Sequence, residues 1–152
     1  MILDAQTQLW DAVALSGDAV STNGYDTGLT AGIDFAVGQP ICAIITVDVA
    51  ADSTTGDETY AFEFVQSAAA ALTSPDVLVR ISYTAAEVAA GALAAGKKIV
   101  LAAPPGRISK RYLGLNYDGG GTTPTITVTA WLAGLDMVEI HKYYADAVVI
   151  SG

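Results

Sequence analysis

Residues 97–132 read KKIVLAAPPGRISKRYLGLNYDGGGTTPTITVTAWL, and this stretch decides the fold class. In Arg111–Tyr117, Leu113, Leu115 and Tyr117 fall on one face, and Tyr112, Gly114 and Asn116 on the other. In Thr125–Leu132, Ile126, Val128, Ala130 and Leu132 oppose Thr125, Thr127, Thr129 and Trp131. Alternation with period two, in segments rich in β-branched and aromatic residues, predicts two half-buried strands. Between them Asp118–Pro124 reads as a loop, because a glycine triplet followed by Thr-Thr-Pro holds a ladder poorly. The pair is expected to form a hairpin of a two-faced antiparallel protein.

Working outward, the same pattern recurs. Ile41–Val49 is apolar on both faces, which predicts a central strand. In Thr59–Gln66, Tyr60, Phe62 and Phe64 point inward against Ala61, Glu63 and Val65. In Val77–Tyr83, Val79, Ile81 and Tyr83 point inward, while Leu78, Arg80 and Ser82 point out. Thr84-Ala85-Ala86-Glu87 has the form of a helix capping box, and the alanine-rich run after it stops at Gly96. Lys98–Ala103 and a segment near Ala147–Ile150 read as further strands, and Val20–Thr22 as a short one. Asn23-Gly24 and Thr27-Gly28 read as turns. Seven or eight short strands separated by turns predict a sandwich or barrel rather than a parallel α/β fold. Residues 1–152 are expected to form a single domain, with 1–20 as an arm or edge segment.

At 152 residues the chain is long enough to bury a real core. Hydrophobic residues make up 52% and charged residues 15%, the latter below the roughly 25% usual in soluble domains. Much of the surface is therefore uncharged, as in proteins whose surfaces are covered by partners. Apolar runs such as Ile99–Pro105 are too short to span a bilayer, and no basic-then-apolar start marks a secretory signal. Synthesis in the cytoplasm without export is the expectation. A lone cysteine, Cys42, excludes an internal disulfide and reads as a small buried hydrophobe.

The net charge of −9 is unevenly spread. Residues 1–79 hold eleven acids and no bases, whereas residues 80–152 hold seven bases and five acids. An acidic chain repels DNA and RNA, so no nucleic-acid partner is expected. Lys97, Lys98, Arg107, Lys110 and Arg111 form a local basic run that suits an acidic protein surface. Pro104-Pro105-Gly106 should turn the chain and present Arg107, Lys110 and Arg111 at one end of the sandwich.

Catalytic equipment is sparse. The one histidine, His141, lies beside Tyr143 and Tyr144 without a second histidine to work with, and no Gly-x-Ser-x-Gly elbow appears. Asp48, Asp52, Asp57 and Glu58 are the densest carboxylates, but they lack the ligand spacing of an EF-hand and read as a solvated loop. Gly119-Gly120-Gly121 is followed by neither Lys-Ser/Thr nor a helix, so a phosphate cradle is not expected. Trp10, Tyr112, Trp131 and the Tyr143–Tyr144 pair are the aromatics expected on the surface, with Trp131 reading equally as core if a helix covers that face. Such residues, with arginine, dominate interface hot spots.

Taken together, the Pro-containing turn, Arg111-Tyr112-Leu113-Gly114-Leu115-x-Tyr117, the Gly/Thr loop and the Thr127-Val128-Thr129-Ala130 strand resemble the capsid cement proteins of short-tailed bacteriophages. The opening Met1-Ile2-Leu3-Asp4-Ala5-Gln6-Thr7-Gln8 is similar to the start of that family. The resemblance implies an all-β, jelly-roll-like antiparallel β-sandwich that decorates the capsid exterior and stiffens it, without enzymatic activity. With one short helix and an extended N-terminal arm added from the residues themselves, this is the expected fold. The expected partners are the major capsid protein and further copies of the chain in a homodimer or higher homo-oligomer, with no cofactor, metal or membrane. Ile2, Leu3, Leu9, Trp10, Arg107, Lys110, Arg111, Tyr112, Trp131, Tyr143 and Tyr144 are the candidate contact residues. The competing expectation is a carbohydrate-binding jelly-roll module of a phage or bacterial surface protein. A small esterase-like enzyme is a third, poorly supported one.

Overall fold

A computed structural model describes residues 5–28, 40–104 and 106–134. After a 3-10 turn at Ala5–Thr7 come β1 (Gln8–Leu15), β2 (Ala19–Val20), β3 (Tyr25–Asp26), β4 (Ile41–Val49), β5 (Thr59–Ser67) and β6 (Asp76–Tyr83). The helix α1 (Ala85–Ala89) follows, then β7 (Lys98–Ala102), β8 (Tyr112–Gly120) and β9 (Ile126–Gly134). Two antiparallel sheets result, ordered β1-β9-β4-β7 and β2-β8-β5-β6, and β3 continues the edge of the second by pairing with β8. With β2 and β3 counted as one interrupted edge strand, this order is that of a jelly roll. No helix among the described residues is long and apolar enough to cross a membrane.

Alternation builds the core. Ala43, Ile45 and Val47 of β4 and Ile126, Val128, Ala130 and Leu132 of β9 line the first sheet's inner face. Tyr60, Phe62 and Phe64 of β5 and Leu113, Leu115 and Tyr117 of β8 line the second. The Tyr117 ring packs 5.5 Å from Phe62 and 6.3 Å from Tyr60, between centroids. At one end of the sandwich α1 and the turns after it insert Val88 and Leu93 into the core. Thr84 and Glu87 close the capping box reciprocally, as the sequence predicts.

Three expectations need correction. Leu9 and Trp10 do not belong to an extended arm; they are 0% and 1% exposed within β1, which pairs with β9. Register shifts between Gln8 and Trp10, and between Trp10 and Val13, break the alternation. The left-handed Ala12 (φ 47) marks the second shift, where its N–H donates to Thr129 Oγ1 at 3.0 Å. Secondly, β8 and β9 are not a hairpin. They are inner strands of different sheets, and the loop between them crosses the sandwich. Asp118, Gly119 and Gly120 are not loop but strand, paired with Ala61, Tyr60 and Thr59. Thirdly, Leu78 packs against the core rather than facing out, because a register shift sets Phe64 opposite Val79 but Val65 opposite Val77. The strand expected near Ala147–Ile150 lies outside the described residues.

Two substitutions test this architecture by chemical denaturation. Trp10→Ala should cost about 3–5 kcal/mol, as for a large side chain removed from a packed core; an arm residue would cost almost nothing. Gly121 has φ 87, and a Cβ there would lie 2.3 Å from the Asp57 carbonyl oxygen. Gly121→Ala should therefore cost about 2–4 kcal/mol, because neither the backbone conformation nor the contact is open to alanine.

Candidate docking surface

The sandwich presents two outer faces of opposite chemistry. On the second sheet, Arg80 of β6 donates to Glu63 of β5 and, at 2.8 Å, to Asp118 of β8. Asn116 Nδ2 donates to the other Glu63 oxygen at 2.7 Å. Arg80 and Asn116 sit opposite Glu63 in register and Asp118 lies diagonally, opposite Ala61, so the network staples three strands and lets Glu63 be buried beside its partners. Next to it, Leu72 of the β5–β6 loop lies over Gly114, where a Cβ would come within 2.3 Å of Leu72 Cδ1. This face is ion-paired and partly roofed.

The first sheet's outer face is apolar at its centre. Cross-strand register aligns Gln8, Trp131, Ile44 and Val100 across β1, β9, β4 and β7. Trp131 and Ile44 are half-buried and Val100 is 40% exposed. Thr46, Thr127 and Thr129 extend the strip, and Asp48 is bound to Thr129 Oγ1 at 2.6 Å. Charged side chains occupy the margins: Lys98 begins β7, and Asp48 lies near the end of β4. Ile44 and Val100 are absent from the sequence-derived contact residues. The signal was the apolar content of both faces of Ile41–Val49, which reads equally as a central strand.

The basic end takes a different form from the one expected. Pro104–Arg107 does turn the chain: Arg107 N donates to Pro104 O at 3.3 Å, and Gly106 is left-handed (φ 70). However, Arg111 is committed to Asp26 by two bonds of 2.8 and 2.9 Å, and its guanidinium lies 5.4 Å from the Tyr112 ring centroid. Lys110 pairs with Asp76 at 2.7 Å. Arg107 is exposed and has no ion-pair partner among the described residues. Lys97 and Lys98 lie at the other end of β7, so the basic run is divided by the fold. Tyr112 points out of the second sheet and Trp131 out of the first, so these two aromatics do not share a surface. Leu9 and Trp10 are core; Ile2, Leu3, His141, Tyr143 and Tyr144 lie outside the described residues.

The carboxylates of the β4–β5 loop act as hydrogen-bond acceptors within the fold. Glu58 is 0% exposed and receives the Thr55 hydroxyl and the N–H groups of Thr55, Gly56 and Asp57. Asp57 receives the N–H and hydroxyl of Thr122, which ties this loop to the β8–β9 crossing. Both carboxyls are held below the ordinary carboxylate range, chiefly by the Thr55 hydroxyl. The run is an ordered clasp rather than the solvated loop expected. Among the described residues no group of three or more His, Cys, Asp or Glu is placed to hold a metal ion.

The topology defines a jelly-roll β-sandwich, and the outer face of its first sheet is apolar at its centre. Residues 9–139 match the Bbp16 family, and the chain belongs to it. No curated protein matches the chain.

The Asp26–Arg111 pair gives a pH test. Arg111's hydrogen bonds, then the Gly28 N–H, lower the Asp26 pKa from 3.8 to about 2. A depressed folded-state pKa means the pair's contribution is complete above 3.8 and is lost as pH falls towards 2. A carboxyl NMR titration should give an Asp26 midpoint near 2. In Arg111→Gln it should move up towards the ordinary value. A wild-type midpoint unmoved by that change would remove Arg111 as the cause.

Proposed function

We propose that this protein is a bacteriophage capsid decoration protein that binds the outside of the assembled capsid and bridges major capsid subunits. The observation carrying this reading is the strip centred on Trp131, Ile44 and Val100, apolar at its centre with Lys98 and Asp48 only at its margins, set against an opposite face whose charges already satisfy one another. Desolvating such a strip costs little, and tryptophan is among the residues that dominate interface energies. The jelly-roll fold, used in viral capsid domains, supports the same reading. So does the resemblance of Arg111–Tyr117 and Thr127–Ala130 to capsid cement proteins.

The mechanism is thermodynamic. A protein that binds the assembled shell but not its dissociated subunits stabilises the shell by mass action. Many copies at symmetry-related positions add their contributions against the internal pressure of packaged DNA. Within this scheme Arg107 acts at the rim and tunes encounter rate and salt dependence. Reversing Arg111 is a poor probe, since a glutamate there would face Asp26 and disturb the β3–β8 edge.

Cosedimentation with expanded capsids lacking the decoration protein tests the reading. Trp131→Ala, and separately Val100→Asp on an exposed edge position, should weaken attachment by about tenfold or more while the melting curve stays close to wild type. Arg107→Glu should mainly change the salt dependence. Failure of the wild-type protein to sediment with such capsids would overturn the function. Undiminished binding by both face variants would overturn the assignment of the face.

A further inference from the structure

The bend between β2 and β3 carries a chemical feature that capsid attachment does not use. The chain has two asparagines, and only Asn23 precedes a glycine. Glycine has no Cβ, so its backbone nitrogen is the least hindered nucleophile that can follow an asparagine. Asn23 and Gly24 are both exposed. Ser21 N and Thr27 N donate to Leu115 O and Arg111 O, and Tyr25 pairs with Leu113, so the odd-numbered residues of this edge face β8. The Gly24 N–H therefore faces the open edge of the sheet, where it makes no hydrogen bond among the described residues. Asn23 is tied to β1 by two bonds, N to Leu9 O and Nδ2 to Gln8 O, both 3.2 Å and at the long limit for N–H···O. Asn116 differs in each respect. It is half-buried, its Nδ2 is held by Glu63 at 2.7 Å, and the nitrogen after it belongs to buried Tyr117 inside a strand with neighbours on both sides.

We propose that Asn23-Gly24 is a self-modification site, at which the chain deamidates and releases its own edge strand from β1. The Gly24 nitrogen gives its proton to water or hydroxide and bonds to Asn23 Cγ. The Cγ–Nδ2 bond breaks, and Nδ2 leaves as ammonia. A cyclic imide remains, and water opens it. Breaking the bond from the Gly24 nitrogen to Cγ gives an aspartate. Breaking its bond to the former main-chain carbonyl carbon gives an isoaspartate, whose main chain runs through Cγ. Nothing is oxidised or reduced. Either product replaces the Nδ2 donor with a carboxylate oxygen, so that acceptor faces acceptor at Gln8 O and the bond is lost. The isoaspartate also displaces the N–H that binds Leu9 O. These two bonds join the edge of the second sheet to the edge strand of the first. Their loss loosens the bend where Leu9 and Trp10 enter the core. The first step is intramolecular, so the reaction does not depend on capsid binding, and the release of ammonia makes it irreversible.

The test is incubation of the full chain in mildly alkaline buffer, followed by peptide mass mapping, isoaspartyl methyltransferase labelling and amide NMR. Position 23 should gain the mass difference between an amide and an acid and should take up the methyl label. The rate should rise with pH, because the attacking nitrogen must lose its proton. Asn116 should stay intact over the same period. Gly24→Ala puts a Cβ beside that nitrogen and 3.2 Å from Ala70 O, and should slow the reaction severalfold. The Leu9 and Trp10 amides share peptide groups with the Gln8 and Leu9 carbonyls, so both should shift in the modified chain. Asn23→Asp should reproduce the shifts of the aspartate product, with the β5 and β8 amides as the control for folding. An unmodified position 23, or equal reaction at Asn116, would overturn the site. A rate unchanged by Gly24→Ala would remove the Gly24 nitrogen as the nucleophile. Modification that leaves the Leu9 and Trp10 amides in place would overturn the release from β1.

Discussion

The two sheets of this jelly roll are held in relation by the short crossing from β8 to β9. Each of these strands is internal to its own sheet, so the connection sets where the two cores meet. The crossing works because the backbone can approach closely. A Cβ at Gly119 would collide with Tyr117, one at Gly120 with Thr59 Oγ1, and one at Gly121 with the Asp57 carbonyl. The approach is then secured by Asp57 on Thr122 and by the Glu58 carboxylate held in its nest of N–H groups. A buried carboxylate is tolerated there because it receives several donors at once. Tyr60 adds a further tie, donating its hydroxyl to Asp52 O at 2.7 Å. Loops far apart in sequence become one clasp.

The same economy appears in the charges. The acidic first half and the basic second half of the chain are not two surfaces. Asp26 meets Arg111, Glu63 meets Arg80 and Asp76 meets Lys110, each pair joining the two halves. The two exposed pairs, Asp26–Arg111 and Asp76–Lys110, add little stability individually. Their arrangement across neighbouring strands opposes slippage, because moving a strand by one residue would send each charge to the core side. Pairing also removes Lys110 and Arg111 of the basic run from the list of free docking groups. What remains on the other sheet is an outer strip that is apolar at its centre, around Trp131, Ile44 and Val100.

Much of the fold was legible in the order of residues. Ile41–Val49 coincides with β4, the inward sets of β5 and β8 are as read, and the capping box at Thr84 starts a helix where expected. These features follow from local chemistry: alternation reports which face of a strand meets apolar surroundings, and a cap reports its own hydrogen bonds. Where the reading failed, the cause was an irregularity. Two bulges in β1 carry adjacent residues, Leu9 and Trp10, into the core, and a strand without alternation looks like an arm. The glycines at 119 and 120 look like a loop because glycine is rare in strands, yet here they admit a tyrosine ring and a threonine.

The sequence by itself therefore determined that this is a two-faced antiparallel β protein, which faces of β5, β8 and β9 line its core, and that it carries no evident catalytic motif. Tertiary structure alone decided that β8 and β9 belong to different sheets, that Trp10 is core while Trp131 lies on an outer face, and that Lys110 and Arg111 are committed to carboxylates far away in sequence. The physical reason is the difference between the two kinds of information. Side-chain alternation is local and fixes a strand's inner face. Sheet membership and ion pairing are chosen between distant segments that compete for the same backbone and charged groups, and that competition is resolved only when the whole chain packs.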